Sequence, residues 1–208
     1  SAAYVLAQTS KIRVGTAIMQ MPARTPAMCA MTAMSLDQLS GGRFIVGLGA
    51  SGPQVVEGWH GVPYGKPVTR TKEYIQIMRK IFERDGPVEF DGQMYQMPNQ
   101  SEGTTGLGKP LKSILAAASD IPIYTASITP AGLRCAGEVA DGVFPVWMDP
   151  NKYDVLGESI ERGFEKAGNG KSLEDFDVAP FVTVAMNDDL DAAYDALRPW
   201  LALYIGGM

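Results

Sequence analysis

Five short segments of this chain are apolar on both faces, and a helical pattern separates each from the next. The segments are "IRVGTAIMQ" (12–20), "RFIVGLG" (43–49), "IPIYTAS" (121–127), "DGVFPVW" (141–147) and "VAPFVTVAM" (178–186). A strand without a polar face must be covered on both sides, the condition met in parallel sheets layered with helices. The helical patterns span 26–40, 69–84, 130–140, 151–168 and 189–204, and the first residues read as the end of a helix entering a strand. In 69–84, Tyr74, Ile77, Met78 and Ile81 share one face, with charges opposite. Strand–helix alternation of this kind predicts an α/β fold with right-handed crossovers.

The second segment continues as "GRFIVGLGASGP", with Gly47, Gly49 and Gly52 at the spacing of a dinucleotide-binding fingerprint. That fingerprint needs its third glycine to open a helix and an acidic residue at the end of the next strand. Here Pro53 and a Gly/Pro-rich stretch follow, and Glu73 falls inside a helical pattern rather than at a strand end. The spacing is therefore read as coincidence. A barrel of parallel strands also needs glycines at strand C-termini, where backbone approaches a ligand or relieves crowding inside the barrel.

Composition narrows the function classes. A net charge of -5 gives no footprint for nucleic acid or an anionic membrane surface. No apolar run has the length of a membrane span, and no signal peptide is visible. Cys29 and Cys135 both sit among small apolar residues and read as buried thiols in a reducing, cytoplasmic setting. With one histidine and no paired-cysteine motif, no metal site is expected. Nor is a Ser-His-Asp site, since no nucleophile elbow is present. The methionines of 19–34 read as core filler.

Residues 85–119 break the alternation. Short alternating pieces around Asp91-Gly92 predict a β-hairpin and then a glycine-rich loop, an insertion expected over the mouth of a barrel.

Two stretches carry a family resemblance. "RVGTAIMQMPARTPAMCAMTAMSLDQLSGGRFIVGLGASGPQVVEGWHG" and "IPIYTASITPAGLRCAGEVADGVFP" resemble the luciferase-like monooxygenase superfamily, closest to the branch that uses coenzyme F420. The resemblance implies one domain over 1–208: an incomplete (β/α)₈ TIM barrel supplying approximately the third to the seventh strand, with the 85–119 insertion. On that reading the chain is a piece of something longer, and catalytic polar residues are expected upstream of Ser1.

The resemblance also implies where a cofactor would bind. A cis peptide between Ala17 and Ile18 would lie beneath its central ring. Gly49, Ala50, Ser51 and Gly52 would border it, and Ser51 is open to a second reading as a helix cap. Ala126, Ser127, Ile128 and Thr129 would cradle a phosphate at a helix start near Pro130, with plain capping by Thr129 as the alternative. His60 reads more simply as a packed residue than a catalytic one, Glu57 stays open between ligand and solvent, and Asp141 reads as a turn-holder.

The implied activity is hydride transfer between F420 and a small organic substrate. An FMN-dependent monooxygenase acting with oxygen is the alternative, and an inactive fragment persisting by association is a third. A homo-oligomer is expected, through the small-residue face of "AMCAMTAMSL".

Overall fold

The computed structural model describes residues 1–146 and 148–206. In chain order the elements are α1 (Ala2–Gln8), β1 (Val14–Gly15), β2 (Met19–Gln20), α2 (Pro26–Ser40), β3 (Phe44–Gly49), α3 (Pro53–Gly58) and α4 (Pro67–Glu83). There follow β4 (Phe90–Asp91), β5 (Gln96–Met97), β6 (Ile123–Ala126), α5 (Pro130–Val139), β7 (Gly142–Phe144), α6 (Asp154–Ala167), β8 (Asp177–Val178) and α7 (Leu190–Gly206).

Both β1 and β2 pair with β3, and the sheet continues through β6, β7 and β8, every pairing parallel. These are five strand positions with helical crossovers, the expected middle of an incomplete (β/α)₈ barrel. Local chemistry sets the element ends. Helix α2 starts where the Thr25 hydroxyl accepts from the Met28 amide ahead of Pro26, and stops at Gly41 with φ +66°.

Strand β3 turns Phe44, Val46 and Leu48 toward the helices, where they are buried with Cys29, Ala33 and Met34 of α2 and Ile75, Ile77 and Met78 of α4. Period-two alternation leaves Ile45, Gly47 and Gly49 on the opposite, inner face. Both cysteines are buried free thiols, as expected.

Polar side chains tie the connections. The Arg43 guanidinium donates to the carbonyls of Leu6, Thr9 and Ile12 at 2.9, 2.9 and 2.7 Å, fastening the end of α1 to the start of β3. The buried Asp37 carboxylate accepts from the Ala118 and Ser119 amides at 2.6 and 3.0 Å and fixes the approach to β6. Asp141 accepts from the Ile123 amide at 2.7 Å and pairs with Arg79, so it holds the turn before β7. The Lys171 ammonium donates to the Gly137 and Ala140 carbonyls at the end of α5, above the rings of Phe164 and Phe176.

Four expectations need correction. Of the methionines in 19–34, Met21 and Met34 are buried and Met19 packs on the core, but Met28 and Met31 lie on the outward side of α2, exposed, and are not core filler. The segment 12–20 is not one strand: β1 and β2 are separated by Thr16, Ala17 and Ile18. Register shows why. Gly15 faces Ile45 while Met19 faces Leu48, so three residues on one strand oppose two on the other, a bulge.

The segment 178–186 gives only β8 and a single bridge from Phe181 to Val146. It runs along the sheet edge, Pro180 has no N–H to donate, and Val182, Val184 and Met186 are exposed. In 141–147, Trp147 lies outside the described residues.

The hairpin of 85–119 forms as β4 and β5, but it docks on the outside of α4 and α2 rather than across the strand ends. Lys80 and Arg84 donate to the Glu89 and Ser113 carbonyls, and Gln38 donates to that of Ala116. Buried Glu73 accepts from the amides of Gln93, Met94 and Tyr95 at 2.8, 2.8 and 3.0 Å, pinning the hairpin tip. An insertion between a helix and the next strand leaves from the face opposite the strand C-termini, and this one climbs back along the helices.

Glu138 of α5 pairs with Lys72 and Lys166. Burial alone raises its carboxyl pKa, but the hydrogen bonds and charges of the two lysines outweigh that, and the net shift is downward. Its stabilisation is therefore complete above the ordinary carboxylate value of about 4.3 and drains as pH falls through the lower folded value. Urea titrations at decreasing pH should show Glu138→Gln flattening the acid limb of the stability curve; a limb identical to wild type contradicts the assignment.

Gly47 makes a second prediction. A Cβ there would stand 1.8 Å from the Thr16 carbonyl oxygen and 2.8 Å from the Phe144 ring, whereas one at Gly58 meets nothing within 4 Å. Gly47→Ala should cost about 3 kcal/mol in urea unfolding, while Gly58→Ala stays within about 1 kcal/mol of wild type. Equal effects would refute the tight approach.

Candidate functional site

All strands of the main sheet are parallel, so their C-terminal ends share one rim. Register aligns four residues across it. Gln20 faces Gly49, Leu48 faces Thr125 so that Gly49 is level with Ala126, and Ala126 faces Phe144. Ser51 and Ser127 leave the sheet just beyond this row, on the same side.

The floor of the rim is the bulge. The Thr16 hydroxyl accepts from the Gly47 amide and donates to the Gly47 carbonyl, both at 2.9 Å, taking the place of the interrupted ladder. The Ala17–Ile18 peptide is cis, as the resemblance implies. The Ile18 side chain lies over Gly49, where a Cβ would come within 2.4 Å of its Cδ1. Gly47 and Gly49 are thus explained by close approach of the bulge and of the Phe144 ring.

Beyond β3 the chain turns sharply. Ser51 has φ +63°, a left-handed conformation that a non-glycine residue holds at a cost of about 1–2 kcal/mol. Gly52, not Ser51, is the N-cap of α3, and no side chain caps that helix. The capping alternative for Ser51 is thereby removed. Gly52 uses its carbonyl to accept from the Val55 and Val56 amides, and Ala50 is half-buried between floor and turn.

Beyond β6 the chain enters α5. The Thr129 hydroxyl accepts from the Gly132 amide at 3.1 Å, so the capping role expected as its alternative is present. Ser127 Oγ makes a long 3.3 Å bond to Thr125 and remains half-buried beside the helix start. Among the described residues no acceptor meets the amides of Ile128, Thr129 or Ala131. Unpaired amides at the positive end of a helix suit an anion.

The inner wall beside this row is aromatic. Phe144 packs against Tyr124 and Phe181, with ring centroids 5.3 and 5.5 Å away. The Tyr124 hydroxyl donates to the Asp177 carboxylate, and burial together with that carboxylate pushes the phenol up to about 12. Tyr124 therefore stays a neutral phenol at ordinary pH.

One rim contact escapes sequence reading. His60 Nε2 lies 2.8 Å from Gln20 Oε1, so the histidine bonds the end of β2. Gln20 left a trace, being a polar residue at the end of an apolar strand. Glu57 is occupied: its Oε1 accepts from the Tyr64 amide at 3.1 Å. Among the described residues no group of His, Cys, Asp and Glu could hold a metal, and no helix is long and apolar enough to cross a membrane.

Comparison with known proteins places this geometry. Rv3520c of Mycobacterium tuberculosis, whose name is that of a coenzyme F420-dependent oxidoreductase, is 46% identical over 201 residues, covering 96% of this chain and 58% of the relative. The F420-dependent tetrahydromethanopterin reductase of Methanopyrus kandleri superposes with TM-score 0.81 and 27% identity, covering 100% of this chain and 60% of that one. An F420-dependent secondary alcohol dehydrogenase bound to an F420–acetone adduct gives TM-score 0.83 at 24% identity over 99% of this chain and 59% of its own, a likeness of fold. The chain spans about three fifths of the length of these relatives. Residues 1–208 match the luciferase-like monooxygenase family in full, and the chain belongs to that family.

Proposed function

We propose that this chain forms the cofactor-bearing part of an oxidoreductase that moves a hydride between coenzyme F420 and a small organic substrate. The observation that carries the reading is the juxtaposition on one rim of a glycine-lined floor, the strained Ser51 turn and the unpaired amides opening α5. These features fit a flat ring with an anionic tail. The kinship to F420-dependent relatives supports the same choice.

F420, when bound, supplies a ring carbon that gives or accepts a hydride. The protein's part is to hold and orient it. Ala17 and Ile18 provide the floor beneath the ring. Gly49, Ala50, Ser51 and Gly52 border it, with the Ser51 hydroxyl as a hydrogen-bonding group. Ala126, Ser127, Ile128 and Thr129 hold the phosphate, chiefly through backbone amides, since the Thr129 hydroxyl is already engaged with Gly132. The aromatic wall of Phe144 and Phe181 keeps water from one side of the mouth. Met28 and Met31 stand exposed on α2, and association of two copies through that face belongs to the same reading, as does a reducing cytoplasm for the free thiols.

FMN is the competing ligand, and titration with each separates the two. F420 should bind, followed by its fluorescence, and FMN should not. Ser127→Glu should weaken F420 binding at least about 10-fold by setting a carboxylate against the phosphate, with the fold intact by circular dichroism. Ser51→Gly should raise stability by about 1 kcal/mol while weakening F420 binding. Preference for FMN, or F420 binding indifferent to both substitutions, refutes the assignment.

A further inference from the structure

The chain has one histidine, and its contact with Gln20 has no role in the fold described above. Its position follows from the pleat. Met19 packs against the helix-side core, so its neighbours Ile18 and Gln20 turn to the inner side. Ile18 covers Gly49, and Gln20 stands one pleat higher, at the lip of the rim.

His60 reaches this lip from a well-fastened loop. The Trp59 and His60 amides donate to the Val55 carbonyl at 3.0 and 3.1 Å, that of Val62 to Val56 at 3.3 Å, and Arg70 holds the Pro63 carbonyl at 2.8 Å. The side chain is half-buried. Its position is therefore set by the scaffold.

Gln20 presents its amide oxygen to the ring, and an amide oxygen can only accept. The proton of a neutral imidazole then sits on Nε2, and Nδ1 carries a lone pair. Among the described residues no donor meets Nδ1. A fixed acceptor at the inner lip of a ligand mouth has a defined use.

We propose that His60 is a ligand-recognising residue. Its Nδ1 accepts a hydrogen bond from an O–H or N–H group on the molecule bound at the rim, and Gln20 is the positioning residue that sets the tautomer. The inference rests on the reading that the rim binds F420 and a small substrate. Two sources offer such a donor: the imide N–H of the deazaflavin ring and the hydroxyl of an alcohol substrate.

Because His60 is the sole histidine, ¹⁵N labelling of histidine gives a single imidazole in long-range correlation spectra. The free protein should show the Nε2–H tautomer, and Gln20→Leu should lose it. On adding F420, the Nδ1 resonance should move if the cofactor is the donor. If the substrate is the donor, it should move only when isopropanol joins the F420 complex. His60→Phe should weaken binding of that ligand about 3- to 10-fold, the worth of one neutral hydrogen bond. His60→Gln serves as the second variant, with a smaller loss, since its amide oxygen can also accept.

An Nδ1–H tautomer in the free protein overturns the inference without reference to any ligand. So does an Nδ1 resonance unmoved by either addition in a protein that demonstrably binds F420. Failure of wild-type protein to bind F420 at all overturns the proposed function instead, and the ligand half of this inference with it.

Discussion

The Thr16 hydroxyl bonded to both the amide and the carbonyl of Gly47 is the contact on which the rest of this structure turns. A parallel strand that bulges by one residue leaves partner groups without a ladder, and buried backbone groups left unpaired are expensive. One side chain repairs both losses at a single residue. That repair lets the chain from Thr16 to Ile18 rise onto β3, and the rise is possible because positions 47 and 49 carry no Cβ.

The consequences spread along the rim. With the bulge in place, Ile18 lies over Gly49 and Gln20 arrives at the lip, where His60 meets it. The same register aligns Gly49 with Ala126 and Phe144, so the strained Ser51 turn and the unpaired amides of α5 face one mouth. Strain and unpaired donors collected at one end of a sheet accord with a binding site supported by rigid elements elsewhere. The Asp37, Glu73, Arg43 and Asp141 contacts supply that support, each fastening a connection rather than meeting a ligand.

Much of the fold was legible because its signals are local. Thr25-Pro26 and Gly41 bracket α2, and the apolar runs locate β3 and β6. The glycine pair of β3 was visible, but its cause was not: Thr16 acts across 31 positions and Phe144 across nearly a hundred. The cis peptide came from family resemblance, since nothing in "TAIM" announces it. His60 and Gln20 are 40 positions apart, and only the folded register brings them together. The tail of 178–186 misled because a hydrophobic, β-branched run has the composition of a strand whether or not a neighbour is there to pair with it.

Thr16→Val, read beside Thr16→Ser, tests the central contact most directly. Valine keeps the shape and removes both bonds to Gly47; serine keeps the hydroxyl and removes a methyl. Urea unfolding should place Thr16→Val about 2 kcal/mol or more below wild type and Thr16→Ser within about 1 kcal/mol of it, with F420 binding lost only in the former. A valine variant as stable as the serine variant, with binding retained, would contradict the account.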